Sequence, residues 1–256
     1  MNRLPTVYIL TCCQSLDTLY GSLLTFKTLR VGFPNATVHV VDNCSIPAAR
    51  SAIRKCAKDT GSFFHELPRR IRHAEFLERE ILDAREGIVF LDPDLCFWES
   101  CESWEFDNAL LAGRFIPEHA SGATTVKKRL HTSFLWAPNP PKLRAEIEYT
   151  LHKYPQWTPF QHALLFEDGA PTFWDTGASL YGALDATYLT PFLVDELNSY
   201  DHLFCGSHLP LKKGADFFDA LSEKHNEVKK DYRSLRGAWR EQEKYFRDNK
   251  LQAVQR

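Results

Sequence analysis

The sequence predicts an α/β fold, a mostly parallel sheet flanked by helices. Short β-branched or aromatic runs alternate with amphipathic segments from Thr6 to Asp92, the order expected of strands joined by helical crossovers. Three of the runs end near a polar residue, Thr11, Asp42 and Asp92, and such sheets bind ligands outside the carboxyl ends of their strands. No internal repeat or low-complexity linker interrupts the 256 residues. One catalytic-sized domain over 1–228 is expected, with a C-terminal helical extension over 229–256.

Thr6-Val-Tyr-Ile-Leu-Thr11 has the composition of a short buried strand. Ser15 or Asp17 can cap the next helix, whose Leu19, Leu23, Leu24 and Leu29 suit one packed face, and Pro34-Asn35 ends it. A second strand runs from Thr37 to Val41 and stops at Asp42-Asn43. Pro47, tolerated in a first turn, opens a helix to Lys58, and a third strand follows over Ser62 to Leu67. From His73 to Arg85 a helix places Phe76, Leu77, Ile81 and Ala84 on one side, then leads into the strand ending at Asp92.

The second half is less regular. Leu110 to Ile116 and His131 to Ala137 are candidate strands, with a basic loop over 120–130 between them. Pro140-Pro141 opens a helix to about His152, Tyr154 to Pro159 is a rigid loop, and a helix begins within Asp175 to Tyr181. Asp201 to His208 is a polar, glycine-containing knot.

Apolar residues make up 44% of the chain and charged residues 25%, the composition of a soluble globular protein. No stretch approaches 18 uninterrupted apolar residues, and the N-terminus lacks signal-peptide character, so a cytoplasmic protein is expected. Seven cysteines, an odd number including Cys12-Cys13, do not form a disulfide framework or a CxxC zinc pattern. Cys96, Cys101 and Cys205 read as small buried residues, with a place near the acidic Asp92–Asp94 stretch as the alternative. A net charge of −2 argues against a general nucleic-acid binder. Basic clusters at Arg69, Arg70 and Arg72, at Lys127 to Arg129 and in the tail are local exceptions.

Chemistry concentrates at Asp92-Pro93-Asp94. Pro93 has no amide hydrogen and disfavours the α region for Asp92, so the strand must open into a fixed bend. Two carboxylates held this close repel one another unless a cation lies beside them. The stretch therefore reads either as an ordinary turn or as a divalent metal site at a strand's carboxyl end. The sequence lacks G-x-G-x-x-G after the first strand, a P-loop, a G-x-S-x-G elbow and H-E-x-x-H. Bound phosphate would then be met through a metal held by carboxylates.

At these residues the chain resembles the GT-A glycosyltransferases, whose aspartate-any-aspartate motif after a buried strand matches Asp92 and Asp94. Val40-Val-Asp-Asn-Cys-Ser45 is similar to a run found in many of those enzymes, with Cys44 where glycine is frequent. The resemblance covers roughly residues 5–100. It implies a nucleotide-binding half over 1–100 followed by an acceptor half over 101–228, and transfer of a sugar from a nucleoside diphosphate sugar, a UDP-sugar being favoured, to an acceptor hydroxyl with Mn²⁺ or Mg²⁺. It further implies donor contacts by Thr11, Asp42, Arg72, His73 and Asp92, with Asp92 and Asp94 as metal ligands. A late histidine completes the coordination in metal-using members, and His202 and His208 are the two candidates; either can instead hold a loop.

An inverting transferase needs a carboxylate to take the acceptor's proton. Asp175 and Glu118 are the candidates, Asp175 having N-cap of the following helix as its competing role. Trp136 and Trp174 are either acceptor-side surfaces or core. The acceptor is a glycan, a protein, a small molecule or a modified nucleic acid. Two other functions stand beside transfer: a sugar-phosphate nucleotidyltransferase, whose usual glycine- and lysine-rich loop is replaced by Thr11 to Asp17, and a non-catalytic nucleotide- or sugar-binding protein.

Overall fold

The computed structural model describes residues 4–106 and 108–202, and among them nineteen α-helices and strands follow one another. The first seven are β1 (Thr6–Thr11), α1 (Leu16–Gly32), β2 (Val38–Asp42), α2 (Pro47–Asp59), β3 (Phe63–Glu66), α3 (His73–Asp83) and β4 (Ile88–Leu91). They match the expected alternation in kind and in order. Next come β5 (Leu95–Phe97), β6 (Leu111–Ile116), β7 (His119–Ser121), β8 (Thr124–Val126), β9 (Arg129–Ala137), α4 (Pro140–Lys153), β10 (Ala163–Glu167) and β11 (Ala170–Trp174). The series ends with α5 (Ala178–Ala183), β12 (Leu189–Pro191), α6 (Val194–Asn198) and β13 (Tyr200–His202).

The large central sheet has the order β12-β6-β9-β4-β1-β2-β3 and is mostly parallel and flanked by helices. β2 and β3 run parallel, as do β12 and β6. β9 is antiparallel to both of its neighbours, β4 and β6. Two smaller sheets accompany it, β10-β11-β8-β7 and the ribbon β13-β5.

The chain divides into two interleaved compact units. One comprises Ile9–Arg70, Asp92–Glu102 and the described residues from Asn198. In it α1 is capped by Ser15, whose side chain accepts from the Thr18 amide while the Thr18 hydroxyl accepts from the Ser15 amide. The expected apolar face is present, with Leu19, Leu23 and Leu29 buried. A second buried face carries Ser22, Thr25 and Thr28; the two threonines lie along β5, whose amides need acceptors. α1 stops at Gly32, just ahead of Pro34. The Phe97 ring approaches Gly32 so closely that an added Cβ would lie 2.6 Å from two ring carbons. α2 begins with Pro47 in its first turn and buries Ala48, Ala49, Ile53, Cys56 and Ala57.

The other unit comprises the described residues up to Tyr8, Ile71–Leu91 and Ser103–Leu197. β4 is buried along its whole length, and α3 buries Phe76, Leu77 and Ile81. An aromatic cluster of Trp104, Phe106, Phe134, Trp136 and Phe192 has neighbouring ring centroids 5.1–6.3 Å apart. Trp136 is therefore core rather than an acceptor surface.

Several expectations need correction. The 120–130 loop is the β7–β8 hairpin, turned at Gly122 in the left-handed region, and Arg129 already belongs to β9. The helix after Asp175 starts at Ala178, with Gly177 at φ 91° as its N-cap, so Asp175 does not cap it. Asp201 and His202 belong to a strand, and the rest of the expected knot, 203–208, lies outside the described residues. His208, Cys205 and the 229–256 extension lie outside the described residues. Cys96 and Cys101 are buried, as expected of small core residues. Among the described residues no helix is long and apolar enough to cross a membrane.

Candidate functional site

Asp92 follows β4 directly, Pro93 and Asp94 form a turn, and Asp94 leads into β5. Asp92 is half-buried, whereas Asp94 is buried. Helix α1 holds β5 from one side: Leu95 N donates to Thr25 Oγ1 at 3.0 Å and Phe97 N to Thr28 Oγ1 at 3.1 Å. Two threonine hydroxyls spaced i, i+3 thus serve the strand as a neighbouring strand's carbonyls would.

On its other side β5 pairs antiparallel with β13, with Leu95 opposite His202, Cys96 opposite Asp201 and Phe97 opposite Tyr200. The pairing sets His202 beside the residue that follows Asp94. His202 Nε2 lies 3.2 Å from Asp94 Oδ2, with side-chain exposures of 8% and 3%. Beyond the ribbon, Trp98 N donates to Ser199 O at 2.9 Å, and Trp98 Nε1 donates to Asp201 Oδ2 at 2.7 Å.

Asp92, Asp94 and His202 each offer one ligand atom, and these atoms lie within 4.8 Å of one another. Atoms about 2.0–2.6 Å from one divalent ion must lie within about 5 Å of each other, so the three fit a common ion. Two carboxylates and an imidazole form a donor set suited to a first-row divalent metal, the carboxylates alone also suiting Mg²⁺. Both expected aspartates and one of the two expected histidines are brought together.

Thr11 and Asp42 stand at the ends of β1 and β2, as anticipated, but both side chains are turned into the fold. Thr11 Oγ1 donates to Val41 O at 3.3 Å, and Thr11 O accepts from Asn43 N at 2.7 Å. The Asp42 carboxylate accepts from Arg50 Nε at 3.0 Å and from Ser45 N at 3.3 Å. Cys44 adopts φ 62°, a left-handed conformation that favours glycine. Burial pushes the Cys13 thiol up to about 11, with hydrogen bonding to Ser22 opposing it.

The remaining expected residues lie in the other unit. Arg72 is exposed at the N-cap of α3, without a side-chain capping bond, and His73 is that helix's first residue. The Asp175 carboxylate is held by Arg129 at 2.6 Å, by Thr176 N at 2.8 Å and by His162 Nδ1 at 3.3 Å. Glu118 is exposed and 3.7 Å from Lys127 Nζ. Lys127 also meets Glu167 at 3.1 Å and covers the Trp174 ring at 5.6 Å, while Trp174 Nε1 donates to Glu167 at 2.6 Å. Asp175 and Glu118 therefore have separate cationic partners.

Arg50, Thr25, Thr28, Trp98, Asp201 and His162 were not singled out by the sequence. Asp201 adjoins His202 and Arg50 follows Asp42 into the next helix, yet neither spacing specifies a contact.

No protein-family model matches the sequence, and no curated protein matches it. Among solved structures the chain is similar to WbbM, a bifunctional glycosyltransferase in its apo form, at 10% identity over 75% of this chain and 39% of that one, with a TM-score of 0.48. It is similar to the glycosyltransferase GlyE of Streptococcus pneumoniae at 12% identity over 77% and 47% of the two chains, TM-score 0.47. It is also similar to the galactosyltransferase LgtC, in complex with donor and acceptor sugar analogs, at 14% identity over 91% and 95%, TM-score 0.46. All three are glycosyltransferases. The chain spans less than half the length of WbbM and of GlyE.

Proposed function

We propose that this protein is a metal-dependent glycosyltransferase that moves a sugar from a nucleoside diphosphate sugar to an acceptor hydroxyl. The observation carrying this reading is the convergence of Asp92 and Asp94 with His202 from a distant strand. Asp92, Asp94 and His202 would hold Mn²⁺ or Mg²⁺, the mixed oxygen–nitrogen set favouring Mn²⁺. Bound there, a divalent ion supplies positive charge for a diphosphate leaving group.

The protein's own groups do the rest. Asp94, buried and fixed by the turn into β5, gives the site a preset carboxylate. Asp92, half-exposed, can meet a ligand from solvent. Thr11 and Asp42, both fully buried, shape the nucleoside-side backbone instead of presenting free side chains, and Arg50 holds Asp42 in that role. Arg72 and His73, at the start of α3, are proposed to approach the donor. Asp175 has a fixed orientation set by Arg129 and His162, whereas Glu118 has one long tether. Asp175 is therefore proposed to accept the hydroxyl proton if transfer proceeds with inversion.

The test is a thermal-shift panel of nucleoside diphosphates and their sugars, with and without Mn²⁺. One nucleotide is expected to raise the melting temperature only with metal, and Asp94→Asn should abolish that shift. A panel with no metal-dependent response would overturn the reading.

A further inference from the structure

His202 reaches Asp94 only because β13 pairs with β5 in one register. The partner strand β5 has three residues, Leu95–Phe97, and so short a pairing has few backbone bonds to prevent slippage. Successive residues of a strand face opposite sides, so a shift by one would exchange Asp201 and His202 between faces. His202 would then leave Asp94.

Trp98 opposes that slip with two bonds. Its backbone amide donates to Ser199 O, and its indole Nε1 donates to Asp201 Oδ2 at 2.7 Å, so one residue grips β13 at positions 199 and 201. Trp98 is buried, at 5% exposure, so its side-chain bond faces little competition from water. Asp201 lies opposite Cys96, two residues before Trp98. The contact is therefore a cross-strand diagonal on the face away from His202.

We propose that Trp98 and Asp201 are positioning residues for the metal site, their side-chain hydrogen bond locking β13 in the register that presents His202 to Asp94. This rests on the metal reading of Asp92, Asp94 and His202. Neither residue is proposed to touch the ion. Outer partners that orient a metal ligand commonly change affinity by about 10- to 100-fold when removed.

The experiment is calorimetric titration of the full chain with Mn²⁺ alone, alongside thermal melts. Trp98→Phe keeps a large ring but lacks the N–H, and should bind Mn²⁺ about 10- to 100-fold more weakly. Asp201→Asn retains an oxygen that can accept from the indole and should bind close to wild type. Asp201→Leu, with no acceptor, should weaken as far as Trp98→Phe, and the double variant Trp98→Phe/Asp201→Leu should be no weaker than either single one. Wild-type affinity in Trp98→Phe overturns the positioning role alone. So does an Asp201→Asn that falls with Asp201→Leu, since charge would then matter rather than the bond. If Trp98→Phe does not fold, the Asp201→Asn and Asp201→Leu comparison decides. A wild-type chain that binds no Mn²⁺ overturns the metal reading and this proposal together.

Discussion

Replacing Arg50 by Met should destabilise the protein by leaving the buried Asp42 carboxylate without its guanidinium partner. Asp42 has a side-chain exposure of 1%, and Arg50 Nε is its cationic partner at 3.0 Å. Removing one partner of a buried pair typically costs about 3–5 kcal/mol, because the other charge is left behind. Two features reduce that figure here. Arg50 is 32% exposed, so water can enter the space it leaves, and Ser45 N still donates to both Asp42 oxygens at 3.3 Å. The bond from Arg50 to Glu66 lies at the surface and should contribute at most about 0.5 kcal/mol. Met fills much of the aliphatic volume, so the expected loss is about 2–3 kcal/mol, in line with a hydrogen bond to a charged group plus a residual desolvation penalty. Urea unfolding of Arg50→Met, Asp42→Asn and the double variant measures it. In the Asp42→Asn background the Arg50 substitution should cost less than about 1 kcal/mol, because no buried charge is stranded. A loss below about 1 kcal/mol with Asp42 intact, or no coupling between the two sites, would refute the reasoning.

Gly32→Ala should cost about 1–3 kcal/mol by forcing a methyl against the Phe97 ring. Urea unfolding checks it, and Phe97→Leu should relieve most of the penalty. Glu167 should titrate below an ordinary glutamate, chiefly because Trp174 Nε1 donates to it, with Lys127 adding to the effect. A lowered carboxylate contributes stability that is present above its unfolded value and is lost as pH falls through its folded value. Trp174→Phe should move the Glu167 carboxyl resonance in ¹³C NMR titrations back up toward ordinary behaviour, and an unchanged titration would refute the assignment.

The first half of the chain was legible because its signals are local. Val38 to Asp42 and Ile88 to Leu91 are apolar strands with polar exits, and α2 announces itself with Pro47. β10 and β11 escaped notice even though Asp168 and Gly169 both take positive φ between them, the geometry of a tight hairpin turn. Leu164, Leu165 and Phe166 form a continuous apolar run, and such runs lack the alternation that marks a half-exposed strand. β5 and β12 are three residues long, too short for any period to register.

The site was legible to the same depth. Asp92 and Asp94 could be read because a proline between two acids after a buried strand constrains local backbone geometry, and local geometry is what sequence encodes most directly. The choice between His202 and His208 could not be made from glycine spacing, since no spacing rule says which residue faces Leu95. The place of His202 beside Asp94 is set by three tertiary facts: Thr25 and Thr28 fix β5 on α1, β5 receives β13, and Trp98 grips Ser199 and Asp201. Each of these residues has an unremarkable reading on its own: two mid-helix threonines, a buried tryptophan, an acid beside a histidine. Their meaning appears only when the strand register is known, because a period of two makes the register, and not the identity of His202, the variable that determines whether an imidazole faces Asp94.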